Sequence, residues 1–251
     1  MRRILLALLF VFALTGGCRV QDQGKPATKL TISTQAPPRI VGAMRNVMWK
    51  GERFARIDFD TLQRRENLFA LGPLENLTGE FLILDGRPYV ARVQNNQVTV
   101  DSSFNIRAPF AGYAYIPQWK SAAWPDSVRT LSQLDAFFDQ RIDKAAEPFF
   151  FRLRAVVDSA TYHVMALPPG SDPRTPDEVH AQGRVYFQTT KQPVEILGFY
   201  STQHQGIFTH HSTHSHLHIL SLDRKHLGHL DHVVLQTGRV ELFIPAHVHL
   251  K

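Results

Sequence analysis

The stretch from residue 80 to 93 limits the fold more than any other part of the chain: an apolar run, Glu80-Phe81-Leu82-Ile83-Leu84, then Asp85-Gly86, then a second run from Arg87 to Val93. Asp-Gly supplies the positive φ angles of a tight two-residue turn, so the segment is predicted as a β-hairpin. Further strands are expected at 98–100, 113–116, 184–189, 194–199, 214–220, 229–235 and 239–244, with 149–157 and 161–167 as a paired set before a Pro-Gly-Ser-Asp-Pro loop at 169–173. Two helices are expected. One covers 57–68, with Phe59, Leu62 and Leu68 on its apolar side; the other covers 132–142, with Leu134, Phe137, Phe138 and Ile142 at helical spacing and Ser132 or Asp126 near its start. Helices segregated from antiparallel strands predict an α+β fold, mostly antiparallel sheets. A chain of 251 residues admits one large domain or two small ones, with a weakly marked boundary at 118–148.

Residues 1–18 read as a signal peptide. Arg2 and Arg3 precede an apolar run, Ile4 to Leu14, that is too short for a permanent membrane span. The run closes on Thr15-Gly16-Gly17-Cys18, which resembles the lipobox of bacterial lipoproteins, although Leu14 stands one place earlier than the preferred leucine. The expectation is an exported protein held at the membrane through lipidated Cys18. That cysteine is the only one in the chain, so no internal disulfide forms. Residues 19–39, rich in Lys, Thr, Gln and Pro, read as a tether, leaving 40–251 as the folded part.

Eleven of the thirteen histidines lie after residue 200. In Thr213-His214-Ser215-His216-Leu217-His218-Ile219-Leu220, strand geometry puts His214, His216 and His218 on one face and Leu217 and Ile219 on the other. Two imidazoles at i and i+2 can grip one metal ion, and spacing leaves His214 or His229 as the third ligand. Three neutral imidazoles with an open fourth position suit catalytic zinc, and the nitrogen donors also suit Ni, Cu or Fe. His204, His210, His211 and His214 read as a solvated loop, and His226 and His232 as surface residues. The formal charge of +6 fits an anionic ligand or a plain basic surface. Lys and Arg are scattered without a stripe or an aromatic-interleaved patch, so there is no nucleic-acid signature.

The segment His216-Leu217-His218 through Asp223-Arg224 to Gly228-His229 resembles the zinc-binding motif of the acetolactate decarboxylases, with Leu227 in place of that family's first glycine. The run Gly72 to Gly86 is similar to the family's glycine-containing loop, LDGE motif and strand, and Ala108-Pro109-Phe110-Ala111 to the segment after it; the matches keep the family's order over roughly 42–245. The resemblance implies an α+β fold in two sheet-containing parts, often dimeric. It also implies His216, His218 and His229 as ligands of Zn²⁺ or another divalent metal, and decarboxylation of 2-acetolactate, a small anion, to acetoin.

Glu80 stands where the family has the last residue of its LDGE motif. The family's substrate-holding arginine aligns with His163, with Arg152 and Arg154 one predicted strand earlier as substitutes. No carboxylate follows Glu241, where the family ends in a glutamate that serves in protonation; His247 or His249 is the replacement available. These departures leave a second reading open: a non-catalytic metal-binding lipoprotein that keeps the fold and the three histidines.

Overall fold

The hairpin is present as β4 (Glu80–Leu84) and β5 (Arg87–Gln94), turning through Asp85 at φ 50° and Gly86 at φ 73°. A Cβ at Gly86 would lie 2.2 Å from the Arg65 carbonyl oxygen, so the turn requires glycine. These elements belong to a computed structural model that describes residues 36–251. The signal peptide, Cys18 and most of the tether lie outside the described residues.

The hairpin sits in a six-stranded antiparallel sheet ordered β1 (Arg39–Val41), β8 (Ala111–Tyr115), β3 (Leu68–Pro73), β4, β5, β6 (Gln97–Asp101). Both faces of β4 are buried, and alternation assigns each residue to a side. Phe81 and Ile83 join Phe59, Leu68, Ala70, Val90 and Ile106 in a small core. Leu82 and Leu84 face the main core with Phe69, Leu71 and the second sheet. Glu80 has the parity of Leu82 and Leu84, so the same pleat aims a carboxyl between the sheets. A two-stranded ladder, β2 (Ile57–Asp58) with β7 (Arg107–Ala108), closes the small core.

The second sheet contains β9 (Trp119–Ala122), β10 (Phe149–Met165), β11 (Arg184–Tyr200), β12 (Ser215–Ser221) and β13 (Leu227–Pro245). Its pairings run β10–β11, β11–β12 and β12–β13, and β13 pairs again with β10, so four strands close into a ring that β9 extends. The paired strands expected at 149–157 and 161–167 are instead one 17-residue strand, whose hairpin partner is β11 from Phe149↔Tyr200 to Met165↔Arg184. The two predicted strands in 184–199 likewise merge into β11, and those in 229–244 into β13. The residues that look like turns are bends within strands: register shifts flank Asp158, Lys191 has φ 50°, and Gly238 has φ 70°. Such irregularities curve a strand, and the ring needs curved strands.

Among the described residues three α-helices complete the α+β fold: α1 (Met44–Lys50), α2 (Leu131–Arg141) and α3 (Pro176–Gly183). The helix expected at 57–68 is not formed. After β2 one 3₁₀ turn spans Phe59–Thr61, capped by Asp58, and the chain then extends into β3. The second predicted helix is α2, started by a Thr130–Gln133 capping box and not by Ser132 or Asp126. Its carboxylates secure the entry to β12: Asp135 accepts from the His214 backbone N–H at 3.0 Å and from the Ser215 hydroxyl, and Asp139 accepts from Tyr200 at 2.5 Å.

Candidate metal centre

His216 and His218 project from β12, and His229 from β13, where it pairs directly with His218. One potential ligand nitrogen from each lies within 4.8 Å of the others. Backbone carbonyls fix the orientation of two rings: His216 Nδ1 lies 2.7 Å from Phe208 O, and His218 Nδ1 lies 2.9 Å from Phe81 O. A carbonyl only accepts, so both Nδ1 atoms carry hydrogen and both Nε2 lone pairs are free to bind a metal. His218 Nε2 is fully buried with no hydrogen-bond partner, an arrangement that costs free energy unless a cation satisfies it. Burial, followed by neighbouring imidazoles or charges, pushes the histidines toward the neutral form a ligand needs. His216 falls to about 4, and His218 and His229 fall well below the usual histidine range. The three imidazoles could hold a metal ion.

The pocket around them is lined by Glu80, His163 and Arg184, with Met44, Met48, Leu77, Phe110 and Met165 supplying apolar walls. Glu80, 2% exposed, places Oε2 3.6 Å from His218 Nε2, too far for a hydrogen bond. This approach is not an ion pair of ordinary strength, because burial raises Glu80 well above the carboxylate range while it lowers His218. The Met165 backbone N–H and the charge of Arg184 oppose the rise in Glu80.

His163 lies opposite His229 in the β10–β13 pairing, with ring centroids 4.8 Å apart. Its Nδ1 faces both oxygens of Asp231, at 2.8 and 2.9 Å. Burial nevertheless lowers its pKa, outweighing the carboxylate. The structure therefore brings His163, Glu80 and the three histidines together, and adds Asp231 and Arg184. Sequence reasoning does not reach those two. Asp231 gains its role from the β10–β13 pairing. Arg184 follows a helix whose start, Thr175-Pro176-Asp177-Glu178, was a readable signal.

Arg152 and Arg154 are not among the pocket-lining residues. Both pair with Glu195, at 3.3 and 3.5 Å, and the Arg152 guanidinium lies 5.5 Å from the ring centroids of both Phe69 and Trp119. His214 lies outside the three-histidine group, since it precedes β12 and its Nδ1 lies 2.7 Å from Asp139. His210 does line the pocket, whereas His211 is exposed beside it. The C-terminal segment does not enter the pocket: His249 Nδ1 lies 3.1 Å from Lys120, and Leu250 bridges to Ile142.

Two antiparallel sheets with a buried three-histidine group that could hold a metal ion define the class of this fold and site. The alpha-acetolactate decarboxylase family model matches residues 45–251, and the chain belongs to that family. Among solved structures, the alpha-acetolactate decarboxylase of Bacillus subtilis strain 168 is similar at a TM-score of 0.63 and 15% identity, covering 86% of each chain. A Staphylococcus aureus protein of unknown function, described as similar to alpha-acetolactate decarboxylase, matches with the same score, identity and coverage. At this identity these likenesses show a shared fold. No curated protein sequence matches the chain.

Proposed function

We propose that the protein decarboxylates 2-acetolactate, or a related 2-hydroxy-3-keto acid, to an acetoin-type product in a zinc-dependent reaction. The three-histidine group of His216, His218 and His229, two of which line one pocket with Glu80, carries this reading, together with family membership. His216 and His218 would hold the metal through Nε2, with His229 completing the set. A divalent cation such as Zn²⁺ supplies Lewis-acid stabilisation of the negative charge left on the substrate when carbon dioxide departs.

The remaining work falls to the protein. The apolar walls exclude water and strengthen every charge interaction inside. Burial raises Glu80 well above the carboxylate range, so it would hold a proton more readily than an exposed carboxyl and could supply the one that the carbon losing carbon dioxide needs. His163, tied to Asp231, forms a polar wall at the position that the family resemblance reserves for an arginine.

The test is acetoin formation by zinc-loaded protein carrying Glu80→Gln. Turnover is expected to fall by two orders of magnitude or more, the usual scale for loss of a general acid, with zinc content unchanged. An unaffected rate would refute the role of Glu80. The second reading, metal binding without turnover, is favoured by one observation, the replacement of the expected arginine by His163.

A further inference from the structure

We propose that Arg184 is the receptor for the substrate carboxylate and that His180 is its positioning residue; the inference rests on the decarboxylase reading for the identity of the substrate, but not for the anion site itself. Arg184 opens β11 directly after α3 and lines the same pocket as Glu80, His163, His216 and His229. It sits one strand away from the position where the resemblance expects an arginine. On the β10–β11 ladder His163 pairs with Tyr186, and Arg184 pairs with Met165.

The guanidinium is placed and uncommitted. Among the described residues no ion pair involves Arg184, whereas Arg152, Arg154 and Arg224 all share Glu195. Its Nε is buried without a hydrogen-bond partner, and an unpaired donor on a permanent cation awaits an acceptor. Only its outer end is held. Nη2 lies 3.0 Å from His180 Nε2, and Nη1 donates to the Tyr186 hydroxyl at 3.4 Å. A guanidinium cannot accept, so His180 must be neutral and accept through Nε2. The charge of Arg184 reaches Glu80, His163 and His229, lowering each, so its field covers the metal centre as well as the pocket wall.

The helix explains why the brace is stiff. α3 begins on a Thr175–Glu178 capping box with Pro176 in its first turn and buries Val179. His180 stands in its last turn, and the Arg184 backbone N–H bonds to the His180 carbonyl, which fixes the two residues four apart. The helix end is tied to the strand, since the Gly183 carbonyl accepts from the Ala166 backbone N–H at 2.6 Å. The ligand class this geometry selects is a small 2-hydroxy carboxylate, its anionic end on Arg184 and its hydroxyl toward the histidines.

The experiment titrates the full-length protein, zinc-loaded and metal-free, with 2-hydroxy-2-methylpropanoate and with its neutral amide, and measures KM and kcat for 2-acetolactate. Wild type should prefer the acid. Arg184→Gln should lose that preference, a drop of about tenfold to a hundredfold for hydrogen bonds to a charged group, with zinc affinity unchanged. His180→Ala should raise the dissociation constant and KM several-fold at nearly constant kcat, and His180→Gln, which keeps an acceptor near the Nε2 position, should restore them. Equal binding of acid and amide by wild type, or an unchanged preference in Arg184→Gln, would overturn the proposal. Turnover that survives in Arg184→Gln with unchanged KM refutes the receptor and leaves the decarboxylase standing. Acid binding that depends on Arg184, without turnover by wild type, supports the receptor and refutes the decarboxylase.

Discussion

Removing His218 should abolish zinc-linked stabilisation, and the size of the effect follows from the site. Three imidazoles lie within ligand distance of one another, two of them oriented by backbone carbonyls. A ligand that binds only the folded state stabilises it by about 4 kcal/mol at a thousandfold excess over its dissociation constant. For a chain of this size each kcal/mol raises Tm by roughly 2–4 °C, so saturating zinc should raise the wild-type Tm by about 8–16 °C. His218→Ala leaves two donors and no carbonyl-oriented partner across from His229, and the zinc-induced rise should fall below about 2 °C. The substitution also strands the Phe81 carbonyl, at a cost of about 1–3 kcal/mol, so the comparison must be the zinc-induced shift within each variant and not the absolute Tm. Thermal unfolding by circular dichroism, with chelator and with zinc, gives the readout. His211→Ala, in the exposed loop, should retain the full shift. A full shift in His218→Ala, or its loss in His211→Ala, would place the metal elsewhere.

Two further perturbations probe how the site is built. Gly228→Ala would put a Cβ 2.5 Å from His163 O and 2.6 Å from Tyr162 Cδ2, so β13 must shift just before His229; a loss of about 1–3 kcal/mol in stability and weaker zinc binding are expected, and unchanged zinc affinity would contradict this. In metal-free protein, His216 held at about 4 protonates more readily unfolded than folded, so the stability it contributes is intact above about pH 6.5 and lost as pH falls toward 4, by about 3 kcal/mol in all. Urea midpoints should decline across that window, and a flat profile would refute the buried, neutral state of the ring.

The legible parts of the molecule are those governed by local rules. Asp85-Gly86 announces its hairpin, and the alternation at 216–218 puts two imidazoles on one face. Spacing leaves the third histidine of the group open between His214 and His229, because the choice depends on which strand lies beside β12, and the His218↔His229 pair supplies that long-range fact. Long strands look broken in the sequence because a bulge and a turn use the same residues: Asp158-Ser159, Lys191 and Gly238 bend strands without ending them. Arg184 escaped for a related reason. Nothing near it in sequence marks a ligand, and the long-range pairing of β10 with β11, Met165↔Arg184, brings it to the pocket.

The position of His163 bears on where an anion can sit. A neutral His163 bonded to Asp231 leaves the carboxylate's negative charge at the side of the pocket where the resemblance calls for an arginine. A substrate carboxylate placed there would meet a like charge in a low-dielectric setting, where repulsion is poorly screened. On the opposite edge of β10, Arg184 offers a permanent positive charge with a buried, unpaired N–H. Under the proposed assignment the two features would act in the same direction: Asp231 would repel an anion from one wall and Arg184 would draw it to the other. The metal histidines, fixed by β12, β13 and the Phe81 and Phe208 carbonyls, need not move for this exchange. On the proposed reading the chain would keep its three-histidine group while relocating its anion receptor, and the replaced arginine would not by itself signal lost catalysis.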